Sequence, residues 1–221
     1  MRKKQNRVRA VYWVIIALGS LLLGLYMAKT EWNTSVLALW LVVIFLGSLA
    51  VDMLWYRNLG KKVNALLPLL HTDPDRYIAG LEDLLGGARS LGVQQTRCIN
   101  LSAAYCEKGD YEKAVNLLTS LDPRRIPAVN QRAYWANLAL SRFHLDQNEL
   151  ARAVIEDHSD LFAQMKDHPG LGGLAAVLSV YYALSKGEVQ LAWERYYAAR
   201  ETWTDTTTQK ELDKLEEKLR G

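Results

Sequence analysis

The hydrophobic residues of this chain are concentrated near its beginning. Residues 10–28 contain no charged residue, and residues 36–56 contain one, Asp52. A helix needs about 20 apolar residues to cross the hydrocarbon core of a bilayer, so each run is long enough to span it. Residues 29–35 separate the runs and are too few for anything but a short external loop. The pattern therefore predicts a two-helix transmembrane hairpin.

Charges at the ends of the two runs predict how this hairpin is oriented. Residues 1–9 contain five Lys and Arg residues, and Arg57, Lys61 and Lys62 follow the second run, whereas the loop contains only Lys29. Lys and Arg are enriched in cytoplasmic flanks. We expect both termini in the cytoplasm and residues 1–9 to form a basic tail against anionic lipid. This is the pattern of an integral protein of a bacterial plasma membrane.

Two features of the runs have alternative interpretations. A cleaved signal peptide is the alternative for the first run; it is disfavoured because no A-x-A site follows and the second run comes immediately after. Asp52 lies next to the interface-type residues 55–57, so we interpret it as an interfacial anchor rather than part of an ion path. The small residues Ser20, Gly24 and Gly47 are expected to let the two helices approach closely.

The rest of the chain, residues 57–221, contains an internal repeat. GDYEKA at 109–114 is echoed by NELARA at 148–153 and by GEVQLA at 187–192, at equal intervals of 39 residues, and more weakly by DRYIAG at 75–80. Each copy ends on a small residue, namely Gly80, Ala114, Ala153 or Ala192. We interpret these positions as crossing points of two helices, where a larger side chain would separate the backbones.

The local chemistry of the best copy, residues 94–123, indicates a helix, a tight turn and a second helix. Apolar residues recur with a helical period up to Lys108. Gly109 can adopt the left-handed conformation that closes a helix, and Asp110 is a good N-cap for the next one. Pro123 ends that second helix, because the residue before proline disfavours helical geometry.

This copy resembles a tetratricopeptide repeat, in which L-G-x-x-Y is followed by G-D-Y-x-x-A and a terminal proline. The residues that fill this pattern are Leu101, Ser102, Tyr105, Ala114, Leu118 and Pro123. Degenerate copies are expected at 59–87, 127–165 and 171–203. The resemblance implies an all-α fold in which the transmembrane hairpin precedes a tetratricopeptide-like α-solenoid, and the final helix, 207–220, caps the array. A capping box, Thr208 with Glu211, is expected to begin that helix.

Helical periodicity and turn signals indicate no β-strand in the repeat region. The expected helices are 59–71, 74–87, 92–108, 111–121, 127–146, 148–165, 171–186, 188–203 and 207–220. Pro68 is expected to kink or end the first of them.

The resemblance also implies a binding surface. In tetratricopeptide proteins, the first helix of each pair lines a concave face that holds a peptide or a partner helix. Carried over to this chain, that face contains Ile99, Ala103, Cys106, Trp135, Leu138, Arg142, Val177, Tyr181 and Leu184. We expect Trp135, Arg142 and Tyr181 to contact a partner, since exposed aromatic residues and arginine anchor interfaces. The others are expected to lie in the core between helices.

Two functions follow from this organisation. The first is a membrane-anchored scaffold or adaptor that binds another protein at the cytoplasmic face of the membrane. The alternative is a structural subunit, or a homo-oligomer, of a transport, secretion or assembly complex, held together by the spans and the carboxy-terminal helix.

Composition and motifs indicate neither catalysis nor nucleic-acid binding. From Arg57 onward the chain has 21 Lys and Arg against 22 Asp and Glu, so the repeat region has no basic excess. No HExxH, GxSxG or phosphate-loop motif occurs. We expect Cys98 and Cys106 to be buried thiols, and His158 and His168 to lie at helix ends rather than to bind a metal. The prediction is a protein that is not an enzyme and has no metal or cofactor.

Overall fold

The computed structural model describes residues 2–29, 34–88 and 90–220, with side chains described from Ala10 onward. The predicted basic tail, residues 1–9, and most of the predicted external loop lie outside the residues whose side chains are described. Within these ranges all regular structure is helical. The helices are α1 (Arg2–Lys29), α2 (Thr34–Asn64), α3 (Leu67–Thr72), α4 (Pro74–Leu85), α5 (Leu91–Glu107), α6 (Tyr111–Thr119), α7 (Ala128–His144), α8 (Asn148–Asp157), α9 (Ser159–Ala163), α10 (Gly172–Ser185), α11 (Val189–Thr202) and α12 (Thr206–Arg220). The all-α prediction is therefore confirmed.

The chain forms two compact units, unit 1 (Met1–Ala65) and unit 2 (Leu66–Gly221). The predicted boundary was at residue 57, but α2 continues beyond the second apolar run to Asn64. The predicted helix 59–71 is divided in two, because α2 ends at Asn64 and α3 begins at Leu67. The position of Pro68 indicated such a break.

Unit 1 consists of α1 and α2, which contact each other in antiparallel order. Tyr12 Oη donates a hydrogen bond to the carbonyl of Ile44 (2.8 Å), and Trp40 Nε1 donates to Ser20 Oγ (3.1 Å). Both helices are long and apolar enough to cross a membrane, with mean hydropathies of 2.0 and 2.4 over their most apolar windows. Their large apolar side chains point outward; Leu39, for example, is 66% exposed.

Two glycines account for the close contact in unit 1. A Cβ atom at Gly19 would lie 2.6 Å from the Trp40 ring, and one at Gly47 would lie 2.9 Å from Tyr12 Oη. Nothing lies within 4 Å of the same position at Gly24. The predicted close approach is therefore confirmed at Gly47 and wrong at Gly24, because Trp40 contacts α1 at Gly19 and Ser20, about one turn before Gly24.

Unit 2 is built from the helix pairs α5–α6, α7–α8 and α10–α11, preceded by α3 and α4. The first helices of the pairs lie next to one another, α5 against α7 and α7 against α10. The core between the pairs contains small and aromatic residues together, for example Ala139, which is fully buried, and Phe143, which is 1% exposed.

The three pairs have the same turn. The second residue after the first helix has a positive φ in each, at Gly109 (76°), Asp146 (54°) and Gly187 (76°). The next N–H group then bonds to the carbonyl five residues back: Asp110 to Tyr105 (2.8 Å), Gln147 to Arg142 (2.9 Å) and Glu188 to Ala183 (3.0 Å). This is the Schellman geometry that ends a helix in the left-handed conformation. The repeat is therefore structural, and its turns define the register.

That register corrects the alignment of the second copy. Counted from the turn, the positions equivalent to Ala114 are Ala151 and Ala192, and all three side chains are fully buried. Ala153, the predicted small residue, is exposed. In the weakest copy Tyr77, rather than Gly80, occupies this position and is also fully buried. The prediction was wrong at Ala153 because the left-handed residue is Asp146, not Asn148.

Two aspartates precede helices of unit 2, and only one of them caps its helix. The Asp73 carboxylate accepts from the N–H of Arg76 (3.1 Å), as an N-cap of α4 should. Asp110 makes no such bond and instead pairs with Lys113 (3.0 Å). The predicted helix 148–165 is interrupted at His158, where α8 gives way to α9.

Candidate functional site

The candidate site is the side of unit 2 formed by the first helices α5, α7 and α10, here called the inner face. It carries Ile99, Ala103, Cys106, Asn137, Leu140 and Val177. The last helix, α12, packs against α10 and α11 and lies across this face. Its predicted role was a lid over the last repeat, but its polar contacts extend to the ends of α3, α6 and α7.

One side of α12 is buried against the unit. Leu212 and Leu215 are fully buried, Leu219 is 8% exposed and Thr208 is 6% exposed. These residues recur at helical spacing and form a single line along α12. This leucine stripe, Leu212, Leu215 and Leu219, is thus an internal contact of the described chain, and its three leucines belong to the main core of unit 2.

The start of α12 is fixed by a close contact with α10. A Cβ atom at Gly173 would lie 2.1 Å from Thr208 Oγ1, and one at Gly172 would lie 2.2 Å from the Trp203 ring. These glycines open a closely packed helix. Thr208 is not the N-cap of α12, because its own N–H donates to Asp205 Oδ1 (2.9 Å). The predicted capping box is therefore wrong, since the cap lies three residues earlier.

A polar cluster ties the middle of α12 to the inner face. His144 Nε2 lies 2.8 Å from Glu211 Oε2 and 3.3 Å from Tyr181 Oη. Its ring stacks on Tyr111 with centroids 4.0 Å apart and an interplanar angle of 2°. Since the His144 side chain is 7% exposed and that of Glu211 13%, this hydrogen-bonded pair is shielded from water. Such a pair holds α12 in one position, because separating it would leave a buried polar group without a partner.

Electrostatics at the cluster favour the charged form of Glu211. Burial, the largest influence, raises the pKa of this carboxyl, but hydrogen bonds from His144 and Lys214 outweigh it, so the pKa lies below its ordinary value. Burial raises the pKa of Tyr181 and, to a smaller extent, that of Tyr111. The two phenols therefore act as neutral hydrogen-bonding and stacking groups at physiological pH.

Further ion pairs and hydrogen bonds lie along both edges of α12. On the edge facing the turns, Lys214 Nζ donates to Tyr111 Oη (3.1 Å), and Lys218 Nζ pairs with Asp146 Oδ1 (3.3 Å). On the edge facing α11 the pairs are Tyr196 Oη with Glu216 Oε2 (2.9 Å) and Arg200 Nη1 with Asp213 Oδ1 (2.6 Å). α12 is thus held by its apolar stripe and by charged groups on either side of it.

Beside the first turns of α12, the inner face has an open cavity of about 480 Å³. It is lined mainly by apolar residues, of which Leu67, Leu70, Ile99, Ala103, Leu140 and Leu174 come from four helices. Its polar rim includes His71, whose Nδ1 lies 2.9 Å from both Glu107 Oε1 and Thr207 Oγ1, so one N–H can be shared between them. A mostly apolar cavity with a few polar groups is the usual form of a binding site.

The three predicted partner-contacting residues all have partners within the chain. Tyr181 is 3% exposed and stacks on Phe143 (5.3 Å, 11°), so the expectation that it is an exposed anchor is wrong. Trp135 is half-buried and stacks on His158 with centroids 3.7 Å apart. Arg142 is half-buried and donates to the carbonyl of Leu150 (3.1 Å). The structure brings Tyr181 to the α12 contact but not the other two.

The two thiols lie in environments that do not favour their reaction as nucleophiles. Burial raises the pKa of the Cys106 thiol to about 12, and its Sγ lies 3.2 Å from Ser141 Oγ. Thiols of this kind are unreactive, because the thiolate is the nucleophile. Cys98 is also buried, as predicted. In the described part of the chain, no three His, Cys, Asp or Glu side chains come together as a metal site.

Tyr111, His144 and Glu211 were not among the predicted site residues. The only signal for them in the sequence is indirect: Glu211 directly precedes a leucine of the stripe, and stripe neighbours tend to contact whatever the stripe packs on. That contact joins segments 67 residues apart for His144 and Glu211. Local pattern alone does not reveal such a pairing.

No protein-family model, curated protein or solved structure matches this chain at a significant level.

Proposed function

We propose that this protein is a membrane-anchored, tetratricopeptide-like scaffold or adaptor that binds another protein on the inner face of unit 2, at the cytoplasmic side of the membrane. The observation that carries the proposal is the 480 Å³ cavity, which opens on the side formed by the first helices of the three pairs. In this proposal a partner inserts apolar side chains there.

Membrane anchoring is supported by the side chains of unit 1. In α1, 6% of the most apolar window is buried, and in α2 none of the corresponding window is buried. Large exposed apolar surfaces mark contact with a membrane or another protein. The charge asymmetry of the flanks places both termini in the cytoplasm under this proposal. Protease added outside intact cells should then leave unit 2 undigested, and digestion would refute the orientation.

Proximity labelling from the carboxy terminus in living cells tests partner binding. Ala103 is half-buried on α5 and lines the cavity, so Ala103→Trp would fill it. Ala153→Trp, on the exposed side of α8, is the matched control. We expect Ala103→Trp to remove a subset of labelled proteins that the control retains, with the circular dichroism of both variants unchanged. An identical set of labelled proteins for both variants would refute the site.

The alternative function, a structural subunit or homo-oligomer, is favoured by a different surface. Val189 (47% exposed) and Tyr197 (62% exposed) share one side of α11 with Trp193, whose ring lies 5.5 Å from that of Tyr197. Apolar residues at such spacing form an exposed stripe suited to assembly. The leucines of α12 do not serve this role, because they are buried within unit 2. Cross-linking in membranes that yields only monomers would argue against this alternative.

A further inference from the structure

We propose that the partner of the inner face is an amphipathic helix with the residue pattern of α12, and that α12 is its internal competitor. This inference rests on the proposed function and names the chemistry of its partner. The pattern is ELDKLEEKL, residues 211–219, in which Glu211 precedes the first leucine and a lysine precedes each of the other two.

The apolar part of the pattern fits the inner face closely. Leu212 and Leu215 leave no surface exposed, and both belong to the same core cluster as Val177 and Tyr181 of α10. A helix in a groove is recognised through residues at such spacing, one or two per turn on one side. The inner face therefore already holds a ligand-like helix, and that helix defines what fits.

The charged part of the pattern provides orientation and selectivity. An acid is needed opposite His144, where Glu211 accepts at 2.8 Å, and a base opposite Tyr111 and Asp146, where Lys214 and Lys218 donate. A helix inserted in the reverse direction, or one with these charges exchanged, would place like charges together or leave the buried His144 side chain without its acceptor. Penalties of this kind select one partner over another.

α12 has the properties of a segment that can leave. Beyond its stripe it is polar, and its exposed positions include Lys210, Asp213, Glu217 and Lys218. The stripe of a released α12 would expose three leucines, and a partner helix would cover the surface that α12 leaves on the inner face. Three residues, Trp203–Asp205, connect it to α11. The contacts of α5 with α7 and of α7 with α10 do not involve α12.

The open cavity gives an incoming helix a place to begin. Thr207, Thr208 and Glu211 of α12 form part of its wall, so the first turns of α12 border empty space on the inner face. A partner helix that enters there contacts the surroundings of Glu211 and His144 before it reaches the contact of the leucines. Exchange can then proceed along the groove from the start of α12 to its end.

A labelled peptide tests this directly. The probe is a synthetic peptide of residues 205–220 with blocked ends and a fluorophore, added to the full chain in non-ionic detergent. In the receptor variant, Leu212→Ala and Leu215→Ala loosen α12 but leave the inner face unchanged. Fluorescence anisotropy should show this variant binding the peptide about ten-fold or more tighter than the wild type does, because its own helix competes less.

Two controls are matched to this experiment. A chain with Leu91→Ala and Leu150→Ala carries the same kind of change at exposed positions and should behave like the wild type. A peptide carrying both α12 substitutions should bind neither chain. Failure of the wild-type peptide to bind the loosened variant, when circular dichroism shows its helix content unchanged, would overturn the inference.

If the loosened variant fails to fold, hydrogen exchange of the wild-type chain tests whether α12 opens by itself. We expect amides of α12 to exchange about ten-fold or more faster than those of α10, as for a unit that opens by itself. Equal rates would overturn the inference, and so would cross-links from α12 of one copy to the inner face of another. A negative result in either case leaves the proposed function standing, because the Ala103→Trp labelling test does not depend on α12.

Discussion

The two units of this protein place similar residues in opposite environments. In unit 1 the large aliphatic residues are mostly exposed, as at Leu39 and Leu46 (66% and 57%), and in unit 2 they are mostly buried, as at Leu118 and Leu212 (both 0%). Unit 2 also shields polar groups: the side chains of His144 and Glu211 are 7% and 13% exposed, and each is paired with the other. The difference teaches that the apolar side chains of α1 and α2 face outward, whereas those of unit 2 mostly pack against one another.

The largest effect that would test this comparison is a core truncation in unit 2. Phe143→Ala removes a ring that is 1% exposed and stacks on Tyr181. We expect a loss of about 3–5 kcal/mol in the free energy of unfolding, as for other buried Phe-to-Ala changes. Leu39→Ala is the control in unit 1 and should change it by less than about 0.5 kcal/mol. Urea unfolding in detergent, followed by circular dichroism, measures both, and equal losses would break the comparison.

The next effect concerns membrane insertion of unit 1. Leu46→Arg places a charge at the centre of the second apolar run, where insertion of an arginine costs about 2.5–3.5 kcal/mol. We expect a larger fraction of the variant to be extracted from membranes by alkaline carbonate. Leu150→Arg, at an exposed position of α8, should leave extraction unchanged. Indistinguishable extraction of Leu46→Arg and wild type would contradict the membrane assignment.

A smaller effect is expected for the shielded His144–Glu211 pair of unit 2. Glu211→Gln keeps the shape of the side chain but removes its charge, and hydrogen bonds to charged groups contribute about 1.5–3 kcal/mol. The urea midpoint should fall accordingly at neutral pH. A wild-type midpoint in the variant would show that α12 is not held by this pair.

The same residue predicts a pH dependence with a definite sign. The pKa of Glu211 is lower in the folded state than its ordinary value, so its contribution to stability is complete above the unfolded pKa. That contribution disappears as pH falls below about 4 and through the folded pKa. The stability difference between wild type and Glu211→Gln should therefore shrink on acidification. A difference that grows instead would reverse the assigned shift.

The smallest effect sharpens the contrast between the shielded His144–Glu211 pair and an exposed ion pair of α12. Asp213→Asn breaks the ion pair with Arg200; the Asp213 side chain is 60% exposed and that of Arg200 is 36% exposed. Exposed pairs contribute about 0–1 kcal/mol, so this variant should unfold close to the wild type. A loss as large as that of Glu211→Gln would mean that exposure does not distinguish the two pairs.

Much of the fold could be predicted because it depends on local chemistry. The two apolar runs, the glycine turns at Gly109 and Gly187, and the cap at Asp73 are determined by a few neighbouring residues each. The second pair was misaligned for a physical reason: NELARA contains two alanines, Ala151 and Ala153, and both fit a helical pattern. Only packing against the neighbouring helix selects Ala151 as the buried one.

The candidate site was predictable in outline only. The resemblance predicts that the first helices of the pairs line a binding face, and the open cavity lies among these helices. Trp135, Arg142 and Tyr181 were chosen for residue type, yet each is used within the chain, because aromatic rings and guanidinium groups are as suited to internal packing as to a partner. The residues that hold α12 come from elements far apart in sequence.

The sequence by itself determined that this chain is helical, where its apolar spans begin and end, and which segments pair through tight turns, because each of these depends on residues within a few turns of one another. Only the tertiary structure decided that α12 packs across the inner face against α10 and α11, that Tyr181 is buried and that His144 meets Glu211. Those outcomes depend on which distant surfaces match in shape and charge, and periodicity along the chain contains no information about that match.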